Sequence, residues 1–180
     1  MYMRKLTHPE IVAQQKKTAR RKRLPFVVVL NNIRSLFNVG SIFRTADGAG
    51  VEKVWLCGYT GYPPSAQISK TALGAEERVP WDYVADAAAV IKAHKSKGYM
   101  IVFLEQMDES CEYHKFKPKG PVCLVIGNEI EGISAELVPF CDKAVDIAMD
   151  GIKNSLNVSV AFGVVAYHIR HCLRQVGRSA

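Results

Sequence analysis

Between Ile11 and Ala46 the chain has no acidic residue. That stretch holds Lys16, Lys17, Arg20, Arg21, Lys22, Arg23, Arg34 and Arg44, eight of the 24 basic residues, leaving 16 basic against 17 acidic residues elsewhere. The formal net charge of +7 is therefore a property of one end. Such a segment can neutralise a polyanion backbone and speed encounter with it, or it can be a solvated arm with no partner.

Other absences narrow the class. No apolar run approaches the ~18 residues of a membrane-spanning helix, so no membrane partner is expected. The start, MYMRKLTHPE, has no apolar stretch between basic residues and a cleavage site, against a secretory signal. The five cysteines (57, 111, 123, 141, 172) are odd in number and contain no C-x-x-C pair, which suits reduced thiols in a cytoplasmic protein better than disulfides or zinc. The five histidines have no partners at metal-ligand spacing, so no metal is expected. G-x-G-x-x-G after the first strand and G-x-x-x-x-G-K-[ST] are both missing, which disfavours a standard dinucleotide-binding enzyme and a P-loop NTPase.

What is present reads as a basic arm, 1–24, followed by one α/β domain, 25–180; 180 residues with 48% hydrophobic content suffice for one sizeable core. Strands are expected at 26–30, 53–57, 99–104, 122–126 and 143–148, and helices at 9–19, 38–48, 85–97, 134–140 and 155–174, with one or two helical turns at 68–74. Asn38 is a candidate N-cap for the second helix, which Gly48 and Gly50 stop. The segment GYTGYPPSAQ (58–67) is a loop whose Tyr59 and Tyr62 suit either a surface connection or contact with unstacked bases. Alternating strands and helices give a mainly parallel sheet with helices on both faces. The last helix carries apolar residues round nearly its whole circumference, which predicts burial on more than one side and a homodimer.

Two loops concentrate chemistry. VIGNEIEGI (125–133) ends an apolar strand in Gly127, Asn128 and Glu129, at the carboxyl end of a strand, where open α/β sheets bind ligands. GIKNSLNVSVAFG (151–163) brings Asn154, Ser155 and Asn157 to a helix start, where free backbone N–H groups hold polar ligands. Either loop alone reads equally as an ordinary turn with capping residues.

Three segments, NIRSLFNVGSIFRTADGAG (32–50), LVIGNEIEGI (124–133) and DIAMDGIKNSLNVSVAFG (146–163), together resemble the three signature motifs of the SpoU (TrmH) family of RNA ribose 2′-O-methyltransferases. The motifs stand in the family's order, and the resemblance covers 25–175. It implies the SPOUT class, with S-adenosylmethionine as cofactor and a C-terminal trefoil knot that strand order alone would not suggest. Gly127, Ile147 and Leu156 match positions that contact the cofactor, and Leu104, Glu105 and Gln106 match the third loop of its site. Ile126, Ile147 and Leu156 supply an apolar slot for the base. Asn38, Arg44, Glu129, Ser155 and Asn157 match the catalytic and substrate-positioning set.

On this resemblance Glu129 fixes Arg44 or the cofactor's amino group, and Asn38 with Asn157 orients the ribose; the plainer alternative is that Glu129 and Asn157 tie two loops together. A guanidinium has no lone pair to offer as a base, so Arg44 is expected to bind a phosphate and stabilise alkoxide charge. The implied substrate is RNA, tRNA ahead of rRNA, gripped by Lys16, Lys17, Arg20, Arg21, Lys22, Arg23 and Arg34. The alternatives are ribosomal RNA as substrate, or an RNA-binding protein that keeps the fold without catalysis.

Overall fold

The computed structural model describes residues 3–18 and 22–179. Of the expected RNA contacts, Arg20 and Arg21 lie outside the described residues, as do the side chains of Lys16 and Lys17.

The domain begins with β1 (Phe26–Asn31), six residues buried without exception. A strand with no polar face belongs at the centre of a parallel sheet, covered on both sides. That is its place: with β2 (Lys53–Cys57), β3 (Trp81–Val84), β4 (Met100–Leu104), β5 (Cys111–Glu112), β6 (Val122–Ile126) and β7 (Lys143–Asp146) it forms a sheet of order β3-β2-β1-β6-β4-β7-β5. Every pairing is parallel.

Alternation along the strands divides the core in two. Val28, Leu30, Leu124 and Ile126 face α2 (Leu36–Ala49), α3 (Ala66–Ala72) and α5 (Val158–Ser179), whose Phe43, Ile68 and Phe162 complete that layer. Val27, Val29, Cys123 and Val125 face the other way, onto α4 (Ala87–Ser96) and Leu137. Each such side chain, fully buried, contributes roughly 1.5–3 kcal/mol relative to exposure. The expected parallel α/β sheet with helices on both faces is the observed architecture.

Several local expectations need correction. The N-cap of α2 is Ser35, whose hydroxyl accepts from the Asn38 N–H, so Asn38 lies inside the first turn with its amide free for other work. Gly48 remains helical, and Gly50, left-handed at φ 75°, ends the helix. β3 has no counterpart among the expected strands: it is an edge strand with half-exposed residues and no alternating pattern. The two-residue β5 is too short to leave a pattern at all. Residues 135–140 form a 3-10 helix, because Pro139 lacks the N–H an α-helix would use. β7 stops at Asp146, which releases Ile147 and Ala148 from the sheet, and α5 starts at Val158 instead of 155. α5 buries one side, with Phe162, Val165, Ala166, Ile169 and Leu173, and exposes Val160, Tyr167 and Val176.

In the arm, Thr7 and Glu10 are joined at the start of α1 (His8–Thr18): the Glu10 carboxylate takes the Thr7 N–H at 2.8 Å and its hydroxyl at 2.9 Å. Arg4 binds the same carboxylate, and these bonds, Arg4's first, hold the pKa of Glu10 down at about 2. Arg23 is committed inward. Its guanidinium donates to the Val51 and Arg78 carbonyls and to Asp47, fastening the arm to the domain. No helix among the described residues is long and apolar enough to cross a membrane.

Candidate active site

The carboxyl ends of β4, β6 and β7 open into three loops, and the space between them and the start of α5 is a cleft of about 450 Å³. That is the size of a small-molecule site. All seven residues matched to cofactor contacts, Leu104, Glu105, Gln106, Ile126, Gly127, Ile147 and Leu156, line it, together with Glu129, Ser155 and Asn157. Positions as far apart in sequence as 104 and 156 meet because β6 lies beside β4 and β4 beside β7.

The loop after β6 is tightly built. Asn128 and Gly132 exchange backbone hydrogen bonds at 2.9 and 3.0 Å, and the Asn128 side-chain oxygen takes the N–H groups of Ile130 and Glu131. Its amide donates to the Asn32 carbonyl and to the Tyr59 hydroxyl. Gly127 is required at this closure: a Cβ there would stand 2.3 Å from the Gly132 carbonyl carbon and from the Ile133 nitrogen. Glu105 accepts from Ile133 N at 3.1 Å and so joins the loop after β4 to the loop after β6.

Glu129 faces the start of α2. Its carboxylate accepts from Asn38 Nδ2 at 2.9 Å and from the backbone N–H groups of Arg34 and Ser35 at 3.1 and 3.3 Å. Burial raises its affinity for a proton, but the hydrogen bonds from Asn38, Arg34, Glu129 itself and Ser35 together outweigh that and hold the carboxyl below its ordinary value. Asn38 passes the chain on, its oxygen accepting from Asn157 Nδ2 at 3.1 Å, while Asn157 caps α5 by accepting from Ser159 N. The expectation that Glu129 fixes Arg44 is not met: its partners are Asn38 and the β1–α2 turn, the loop-tying arrangement.

Arg44 stands on the exposed side of α2 and has no hydrogen bond or ion pair to any described residue. Neither it nor Asn38 lines the cleft. Arg34 and Lys22 are also exposed. Ser155 is exposed, and its one hydrogen bond among the described residues is to Asn154, at 3.5 Å. Sequence reasoning missed five lining residues, Ile130, Gly132, Asp146, Val158 and Ala161, whereas Asn154, whose carbonyl accepts from Gln106 Nε2 at 2.6 Å, was among the polar residues expected at the start of the last helix. All five stood in the motif segments, but which of those positions face the cleft, like the closeness of Gly132 to Gly127, is visible only in three dimensions.

Charge separates the regions. The residues lining the cleft include Glu105, Glu129 and Asp146 and no lysine, arginine or histidine. A phosphate-bearing cofactor finds no counter-charge there, whereas a ligand with cationic centres and a neutral base does. Ile126, Ile147 and Leu156 supply apolar wall, and Gln106, Asn154 and loop backbone supply polar partners, so the donor set fits such a group.

Comparison with known proteins decides the family. The model of the SpoU rRNA methylase family matches residues 25–167. The chain belongs to this family. A Staphylococcus saprophyticus protein named for the TrmH family of tRNA/rRNA methyltransferases is 33% identical over 169 residues, 94% of this chain and 66% of that one. The 23S rRNA (guanosine-2′-O-)-methyltransferase of Shewanella oneidensis is 34% identical over 80% of this chain and 58% of its own. This SpoU family chain thus spans less than two thirds of the length of these two relatives. Among solved structures, the A. aeolicus TrmH/SpoU tRNA modifying enzyme superposes with a TM-score of 0.80 at 28% identity, covering 93% of this chain and 86% of that one. An AdoMet-bound rRNA methyltransferase from Sinorhizobium meliloti gives 0.76 at 28% identity, covering 81% and 56%.

Proposed function

We propose that the protein transfers a methyl group from S-adenosylmethionine to a ribose 2′-hydroxyl of RNA, with tRNA the favoured substrate. The observation that carries this reading is the division of charge. Three acidic residues and no cation line the cleft, while the guanidiniums of Arg34 and Arg44 stand outside it without partners among the described residues. A cationic cofactor suits the inside and a polyanionic substrate the outside.

S-adenosylmethionine, when bound, supplies a methyl group on a positively charged sulfur, open to in-line displacement by an oxygen nucleophile. Leu104, Glu105, Gln106, Ile126, Gly127, Ile147 and Leu156 would hold it. The remaining work is positioning, which supplies most of the rate gain when two reactants must be aligned. Asn38, Asn157 and Ser155 orient the ribose at the cleft mouth, with Glu129 fixing Asn38. Arg44 binds the target phosphate and stabilises negative charge growing on the hydroxyl oxygen, and because a guanidinium does not accept a proton, that proton passes to phosphate or water. Lys16, Lys17, Arg20, Arg21, Lys22 and Arg34 grip the RNA backbone; Arg23, engaged with the domain, contributes by holding the arm.

Support for tRNA is the extent of the match. The A. aeolicus tRNA (guanosine(18)-2′-O)-methyltransferase aligns over 98% of this chain and 83% of its own, so the shared part includes most of what that enzyme has. Ribosomal RNA remains the second substrate reading, favoured by the Shewanella relative's name.

The same reading includes a trefoil knot among the three loops of the cleft, supported by the passage of the chain from β6 over β4 to β7. It includes a homodimer through the knot region and α5, supported by exposed Val160, Tyr167 and Phe37 at 51%, 47% and 44% accessibility. It also places the protein in the cytoplasm, supported by five free thiols.

The test is methyl transfer from labelled S-adenosylmethionine to unmodified tRNA and rRNA transcripts, followed by alkaline and nuclease digestion. Label in alkali-resistant dinucleotides from tRNA, lost with Arg44→Ala, is the expected result. Label on a base, or on neither RNA, overturns the reading.

A further inference from the structure

Three exposed tyrosines, Tyr59 and Tyr62 in the loop after β2 and Tyr83 on β3, lie outside the cleft lining. Tyr59, Tyr62 and Tyr83 are 57%, 49% and 41% accessible. They are contiguous. Tyr62 and Tyr83 lie with ring centroids 4.8 Å apart, and the Tyr83 hydroxyl donates to the carbonyl of Gly58, next to Tyr59. Behind them Tyr62 stacks on Trp81 at an interplanar angle of 28°, and Trp81 meets the buried Phe43 edge-on. A column of rings thus runs from the core to the surface.

The loop is also immobilised by its neighbours. Thr60 Oγ1 donates to the Leu30 carbonyl and accepts from Ile33 N, and Asn32 Oδ1 accepts from Tyr59 N. Gly58 leaves no room for a side chain, since a Cβ would lie 1.9 Å from Asn32 Oδ1. A surface whose ordering cost has been met on folding binds a flat ligand with little further entropy loss.

Its position points to the occupant. The Tyr59 hydroxyl accepts from Asn128 Nδ2 at 2.8 Å, one residue from Glu129 at the cleft mouth. Asn32, which holds Tyr59, lies two residues before the exposed Arg34. Exposed rings tied to the cleft loop, with a cation near in the chain, match what unpaired nucleotides require: a π-face for the base and a cation for its phosphate.

Resting on the methyltransferase reading above, we propose that Tyr59, Tyr62 and Tyr83 form a stacking platform for an unpaired base in the RNA segment that carries the target ribose. These are positioning residues. They select a looped or single-stranded target and exclude a paired one, because a base inside a duplex has no exposed face to offer.

The experiment compares Tyr62→Leu, Tyr83→Leu and Tyr62→Phe with the wild-type chain, measuring affinity for unmodified tRNA transcript, KM and kcat for methyl transfer, and S-adenosylmethionine affinity. Each leucine variant is expected to weaken RNA binding and raise KM about tenfold, the size of one lost base–ring stack. Turnover at saturating RNA and cofactor affinity stay within about twofold, and Tyr62→Phe behaves as wild type. Ultraviolet crosslinking of wild-type protein to 4-thiouridine-containing RNA is expected to label the peptide spanning 59–70, a readout independent of how well any variant folds. Unchanged RNA affinity in both leucine variants, crosslinks confined to other peptides, or a wild-type chain that binds no RNA would overturn the platform. Methyl transfer that persists regardless of these tyrosines would leave the enzyme reading standing without it. Tyrosine-dependent RNA binding without methyl transfer would do the reverse.

Discussion

Residues 127–133 and 148–157 face each other across the cleft and are held in different ways. In the first, Asn128 alone is joined to six groups through its side chain and backbone, and Glu105 clamps Ile133. In the second, no backbone–backbone hydrogen bond among the described residues involves 148–156, and its tethers are Gln106 to the Asn154 carbonyl and Asn157 to Asn38. Residues 150–157 are exposed throughout. One wall is completed by folding; the other has polar groups left for a ligand. Low local hydrogen bonding is the usual mark of segments that order on binding.

Substitutions sharpen or break this contrast. Gly127→Ala carries the largest expected effect, since its Cβ would meet backbone on the far side of the loop: a loss of about 2–3 kcal/mol in urea unfolding and of cofactor binding by calorimetry. Asn128→Ala strips a buried junction of its partners and is expected to cost about 2 kcal/mol in the same assay. Glu129→Gln comes next, at about 1 kcal/mol or less near neutral pH because water screens the site. Its signature is pH dependence. The Glu129 carboxyl is held low in the fold, so its contribution is complete above the ordinary carboxylate range and fades as pH falls through the lowered value; the variant should flatten that part of the acid limb. Gly151→Ala, with nothing within 4 Å of the added methyl, should change stability by less than about 0.5 kcal/mol. Equal costs at Gly127 and Gly151 would erase the distinction between the walls.

How far the sequence could lead follows the same division. Phe26–Leu30 is legible as a buried strand because every side chain is apolar, and the motif loops are legible because glycine, asparagine and acid cluster at strand ends. The seven cofactor positions, expected on the family resemblance, line one cleft. Features set by tertiary choice are not legible. Ser35 and Asn38 both suit an N-cap, and only packing puts the helix start at the former. Trp81–Val84 pairs at an edge, where burial imposes no alternation. The Thr7–Glu10 pairing in THPE has the right spacing to be read, although Pro9 beside it suggests a helix start one residue later. Arg23 looks like its basic neighbours, and nothing local announces that Val51, Asp47 and Arg78 bind it. The apolar surface of α5 suggests burial all round, whereas one side faces outward in the single chain.

The most direct test is amide hydrogen exchange across both loops, with and without S-adenosylmethionine. Residues 127–133 are expected to exchange slowly in either condition, while 148–157 exchanges rapidly alone and slows by about tenfold or more when the cofactor is present. Exchange in 148–157 that ignores the cofactor, or protection confined to another part of the chain, would contradict a division between a finished wall and one that waits for its ligand.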